Sequence, residues 1–186
     1  MQRDQQLARQ GEDLFNQMDK VNSELVALTY GAIVTQLLKD YKDVDTVNTE
    51  LEKMGYNIGV RLIEEFLAKS NTQSCNSFKE TGFTVAKVAF KMFLGIPCDV
   101  NVREDQKEFS LLFKGSPLNE FVQLPPQYTS LHYGNIICGV IRGALNMIRL
   151  VVTCQYVKCE LRGGDYNEIK VTLKDIQQES YKDDDE

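Results

Sequence analysis

The chain has 186 residues, a length suited to one domain, and 42% of them are apolar, enough to enclose a core. A formal net charge of −6 speaks against a nucleic-acid binder, because phosphate contact relies on an excess of Lys and Arg. No apolar run reaches the ~18 to 20 residues of a transmembrane helix, and the polar start MQRDQQLARQGEDL lacks signal-peptide character.

Residues 1–21 read as a flexible polar lead. From Ser23 a helical pattern begins, with Leu25, Leu28, Val34, Leu37, Leu38 and Tyr41 recurring at spacings near three and four. Asn22 or Ser23 can cap it by accepting from free first-turn amides. After an acidic turn at Asp43 and Asp45, a longer helix carries the stripe Val47, Leu51, Met54, Ile58, Leu62, Ile63 and Phe66. Ser77 and Glu80 form an S-x-x-E capping box, which predicts a third helix through Val85, Ala86, Ala89, Phe90 and Phe93, stopped by Gly95 and Pro97. CDVNV and EFSLLFKG then read as two strands, and SPLNEFVQLPP as one short helix with Ser116 as cap.

A fourth major helix is expected from about Ser130 to Met147. Beyond it the period changes to two, giving strands RLVVTCQYVKCEL and YNEIKVTLKDI around a turn at RGGD. In the last strand Ile169, Val171 and Leu173 share one face, as in an antiparallel sheet with one wet side. The fold class is therefore α+β: four main helices packed with a small antiparallel sheet, over residues 22–176. Residues 177–186 form a polar acidic tail expected to be disordered.

Two glycine pairs, Gly55 with Gly59 and Gly139 with Gly143, each sit one helical turn apart. Glycine inside a helix costs about 1 kcal/mol against alanine, so close backbone packing is the expected compensation. The neighbour is either a helix of the same domain or a helix of another subunit.

The five cysteines are Cys75, Cys98, Cys138, Cys154 and Cys159. An odd count with no secretory context suits a reduced intracellular protein, and no CxxC pair offers a metal site. The one histidine, His132, would have to serve as base in any Cys75–His132 dyad, without a recognisable orienting partner. A capping or surface role is the simpler reading of His132, and no carboxylate pair stands out for acid–base work. No catalytic residue is assigned. Cys75 differs from the other thiols because it lies in the polar turn KSNTQSCNSFKET, two residues before the cap Ser77. Free amides at a helix start favour a thiolate, so Cys75 is either a passive turn residue or a modification site that accepts an acyl group.

The stretches YGAIVTQLLKDY, MGYNIGVRLIEEFLAKS, AKVAFKMFLG, EFSLLF and YGNIICGVIRGALNMI, in this order and spacing, resemble the subunit 3 family of the transport protein particle (TRAPP). The resemblance runs from about Ser23 to about Ile176. It implies a small α+β domain that dimerises through its helices, with other TRAPP small subunits or with itself. It also implies a place in a vesicle-tethering complex that exchanges guanine nucleotide on a Rab-family GTPase in ER-to-Golgi transport. Such a subunit is cytoplasmic and peripheral on cis-Golgi and ER–Golgi membranes, and the resemblance brings its C-terminal segment near the GTPase. An acidic tail there could compete with phosphate or magnesium contacts.

The resemblance makes Cys75 the acylated cysteine, carrying palmitate as a thioester in an internal tunnel. Ala89 matches a tunnel-wall position. Ala86 leaves space along the same helix, and Val85, Phe93, Leu62 and Ile63 are expected linings from helix facing. One departure is Ser74, which stands where the family has arginine. An alternative reading makes the chain a fatty-acyl-binding domain whose main role is to hold the lipid.

Overall fold

The computed structural model describes residues 2–72 and 75–177. Its helices are α1 (Gln2–Gln17), α2 (Ser23–Asp40), α3 (Val44–Ser70), α4 (Phe78–Thr84), α5 (Phe90–Leu94) and α6 (Asn135–Met147). Four strands, β1 (Cys98–Val102), β2 (Glu108–Phe113), β3 (Leu150–Lys158) and β4 (Asn167–Ile176), form one antiparallel sheet in the order β1-β2-β4-β3. The α+β class read from the sequence is the class of the structure.

Local chemistry sets the helix ends. Asn22 accepts from the Leu25 amide at 2.9 Å, and Asp43 accepts from the Thr46 amide at 2.7 Å, each removing one orphan donor. Asn71 closes α3 in the left-handed conformation at φ 46°, one of the few side chains that tolerate it. Ser77 accepts from the Glu80 amide at 3.2 Å, while Glu80 Oε2 accepts from the Asn76 amide at 2.9 Å. The Ser77 half of the expected capping box therefore forms, while the Glu80 carboxylate reaches one residue past the cap, to Asn76.

The sheet follows the alternation of its strands. Phe109, Leu111 and Phe113 are buried in β2, and Asn167, Ile169 and Val171 are buried opposite them in β4. This face packs on α6 through Ile137, Cys138, Ile141 and Leu145. On its other side α6 meets α3, and there the glycines act. A Cβ on Gly55 or Gly59 would lie 2.0 Å from Ile136 O or 2.1 Å from Val140 O. A Cβ on Gly139 or Gly143 would lie 2.0 Å from Glu52 O or 2.2 Å from Tyr56 O. The two pairs form one seam within the domain, so they carry no argument for a subunit interface.

Four expectations differ from the structure. Residues 2–17 form α1 in place of a flexible lead, because Leu14 is buried with Met92, Val88 and Phe66, and Leu7 and Met18 pack beside them. Residues 116–125 form successive turns and no helix, with Asn119 N donating to Ser116 O and Val122 N to Asn119 O. So short a helix is marginal alone, and packing of Leu118, Val122 and Leu124 against Tyr30, Val34 and Leu131 decides the conformation. The helix expected from Ser130 starts at Asn135. Asn48 accepts from the His132 amide at 2.8 Å and donates to Ser130 O at 2.9 Å, which holds that segment outside the helix. Finally, α4 and α5 are joined by a π-helical turn, Val85–Ala89, that helical periodicity does not reveal. Ser74 and residues 178–186, including nearly all of the acidic tail, lie outside the described residues.

Candidate functional site

Cys75 opens onto a cavity of about 1180 Å³ lined mainly by aliphatic and aromatic side chains. That volume exceeds the ~300–1,000 Å³ of ordinary small-molecule sites. Leu62, Ile63 and Phe66 from α3 form one wall, and Val140, Ile141 and Ala144 from α6 form another. The π-helical turn gives Val85 and Ala89, and α5 gives Phe90 and Phe93. Leu25, Val26, Tyr30 and Ile33 of α2 extend the lining along the cavity.

Of the residues singled out from the sequence, the structure brings Leu62, Ile63, Val85, Ala89 and Phe93 to the same cavity as Cys75. Ala86 is buried elsewhere, at 1% exposure in the core against the sheet. It lies one residue round the turn from Val85 and so faces the strands. Sequence facing missed the α2 and α6 walls. Alanine at 144 was the available signal there, a small residue beside a glycine on an otherwise apolar helix.

The sulfur of Cys75 is half-buried and 3.6 Å from Thr84 Oγ1. The other thiols are placed for packing. Burial pushes Cys98 and Cys154 up to about 12 and Cys138 well above the usual thiol range. Burial also raises Cys159. Thiols held protonated in apolar surroundings are poor nucleophiles.

Charge beside Cys75 comes from two neighbours. Glu80, bonded to the Asn76 amide, also accepts from Arg3 Nη1 at 2.7 Å. The hydrogen bond from Arg3 holds the Glu80 carboxyl below its ordinary range, aided by the Asn76 amide and opposed by partial burial.

His132 is elsewhere. Its ring lies 6.2 Å from that of Tyr156, and it does not line the Cys75 cavity. Burial first, and then the Arg162 charge, lower its proton affinity, with Asp45 acting in the opposite sense. The Cys75–His132 dyad is thus not assembled. Among the described residues no three potential metal ligands converge, and no helix is long and apolar enough to cross a membrane. What the site can do chemically is bury a long apolar chain and hold it by a bond to sulfur.

Comparison with known proteins gives a consistent picture. Residues 26–172 match the family described as transport protein particle (TRAPP) component. Trafficking protein particle complex subunit 3 of Dictyostelium discoideum is 54% identical over 168 residues, covering 89% of this chain and 90% of that protein. Transport protein particle subunit bet3 of Schizosaccharomyces pombe is 52% identical over 171 residues, covering 91% and 93%. A crystal structure of subunit 3 from Naegleria fowleri, covalently bound to palmitic acid, superposes with a TM-score of 0.83. It is 55% identical and covers 87% of this chain and all of that one.

Proposed function

The chain belongs to the transport protein particle component family, and from that premise we propose that it is a non-catalytic core subunit holding a fatty acyl chain on Cys75. The observation that carries this reading is a cysteine sulfur placed at an apolar cavity of about 1180 Å³. Palmitic acid bound covalently to the 55% identical N. fowleri protein supports the same chemistry here. Each methylene of a buried chain contributes about 0.8 kcal/mol, so a palmitoyl group would add substantially to the stability of the domain. The bond is a thioester, formed when the sulfur attacks an acyl thioester carbonyl and the donor thiol departs with the proton.

In this reading the subunit works inside an assembly that tethers vesicles and exchanges guanine nucleotide on a Rab-family GTPase in ER-to-Golgi transport. Exchange by such a factor proceeds through surface contacts that open the nucleotide site of the GTPase, so the subunit itself needs no acid, base or nucleophile aimed at substrate. Partner binding falls to the helices. Leu25 and Leu28 of α2 are 61% and 65% exposed, and Ile58 and Leu67 of α3 are 41% and 48% exposed; all but Leu28 also line the Cys75 cavity, so this face includes its rim. We assign this apolar face to a related small subunit, forming a heterodimer, with a second copy of this chain as the competing occupant.

The second reading, a fatty-acyl-binding domain acting alone, draws on the cavity itself. Affinity purification of the tagged chain from its own cytosol separates the two. Stoichiometric copurification of related small subunits with GTPase exchange activity is expected, whereas a lipid-loaded chain without such partners would favour the second reading.

A further inference from the structure

The helix α1 lies before residue 26, where the match to the family begins, yet it docks on both sides of Cys75. Gln10 Nε2 donates to Ser70 O at 2.6 Å, at the end of α3. Arg3 donates to Glu80 at 2.7 Å, at the start of α4. Beyond Gln10, α1 is fitted closely to the helix that lines the cavity. A Cβ on Gly11 would stand 2.4 Å from Lys87 O, and Leu14 packs with Ile63 and Phe66 of the cavity wall. Glu12 pairs with Lys91 at 2.8 Å.

This arrangement solves an electrostatic problem at the sulfur. The Glu80 carboxyl is held below its ordinary range and so is ionised at neutral pH, and it accepts from the Asn76 amide at 2.9 Å, within the peptide unit that follows Cys75. A carboxylate there opposes the build-up of negative charge on the sulfur that nucleophilic attack requires. The guanidinium of Arg3 sits on the far side of that carboxylate and offsets it. We propose that Arg3, carried by α1, is a positioning residue for the modification of Cys75, neutralising Glu80 and locking the turn that presents the sulfur to the cavity. The proton affinity of Arg3 is raised by its hydrogen bond to Glu80, then by the Glu80 charge, with a smaller contribution from Cys75, in line with this placement.

The inference rests on the acylation of Cys75 set out above, and its chemistry is that step. The sulfur–carbon bond forms as the carbon–sulfur bond of a long-chain acyl-coenzyme A breaks, and coenzyme A leaves as the thiol with the proton of Cys75. The helix α1 governs how fast that exchange occurs.

The test measures two rates on the full chain by mass spectrometry of the Cys75 peptide: acylation by palmitoyl-coenzyme A, and alkylation by iodoacetamide, which needs no cavity. Arg3→Glu is expected to slow both by about two- to fivefold, the scale of an exposed charge interaction. Arg3→Lys is expected to restore most of the alkylation rate, because charge and not the guanidinium fork is what the sulfur senses. Gly11→Leu, which displaces α1 while keeping Arg3, should slow acylation as Arg3→Glu does. Lys53→Ala, which removes an ion pair with Glu50 on α3 away from both α1 and the cavity, should leave both rates unchanged. Equal rates for Arg3→Glu and the native chain would overturn the proposal, as would failure of Arg3→Lys to exceed Arg3→Glu in alkylation. Absence of acylation in the native chain would sink the acylation reading itself, and the alkylation rates would still decide the role of Arg3.

Discussion

The two sides of α3 present opposite solutions to packing. Toward α6 the backbones touch, because Gly55, Gly59, Gly139 and Gly143 leave no room for a single added methyl group. Toward α2 and α5 the same helix faces a cavity of about 1180 Å³, lined by Leu62, Ile63 and Phe66. A folded interior normally packs at crystal-like density, so one helix with a seam on one face and a chamber on the other is a division of labour. The seam fixes the frame, and the chamber is the volume that the proposed acyl chain would fill.

This contrast is broken most severely at the seam. Gly143→Val would drive a side chain into the Tyr56 carbonyl, 2.2 Å from the ideal Cβ. Such overpacking against backbone is expected to cost about 3 kcal/mol. For a chain of this size the melting temperature should then fall by roughly 6 to 12 °C, followed by circular dichroism.

A small-to-large change of the same kind in the chamber should behave differently. Ala89→Phe projects into open space and is expected to change the stability of the unacylated chain by less than about 1.5 kcal/mol. Its intact mass should nevertheless lack the acyl increment, because the ring occupies the volume the chain would use. A melting temperature that collapses as far as that of Gly143→Val would mean the chamber is packed like the seam.

The smallest expected effect lies outside both regions, at His132. Burial lowers its proton affinity below the ordinary value of 6.5, so the folded state binds this proton less readily than the unfolded chain. Its contribution to stability is complete above about pH 6.5 and is lost as pH falls through the lowered folded value. The ring is only about half-buried, which limits the contribution to less than about 1 kcal/mol. Denaturant titrations at pH 7.5 and pH 5 should show this acid loss shrink in His132→Asn; an unchanged loss would place its origin in the carboxylates.

Much of the fold was legible because its signals are local. Asn22, Asp43 and the Ser77–Glu80 pair mark helix starts by chemistry that acts within three residues. The alternation in β2 and β4 likewise marks a one-sided sheet. What escaped depends on distant contacts. The helix α1 is polar in sequence and is secured by Leu14, Gly11 and Arg3 meeting residues some 50 to 80 positions away. The turns at 116–119 and the late start of α6 answer to Tyr30, Leu131 and Asn48, which no local window includes.

The candidate site divides in the same way. Cys75 stood out by its polar setting, and α3 and α5 facing placed Leu62, Ile63 and Phe93. The π-helical turn and the α2 and α6 walls emerged only from the packed structure. Ala86 turned to the sheet for the same reason: facing along a helix is certain only when its pitch is uniform.

The claim on which the rest depends is a fatty acyl thioester at Cys75. Intact mass spectrometry of the protein purified from its own cytosol, before and after neutral hydroxylamine, addresses it directly. The account predicts a palmitate-sized increment that hydroxylamine removes, that maps to Cys75 and that is absent from Cys75→Ser. A single unmodified mass in both samples, or an increment that persists in Cys75→Ser, would contradict it.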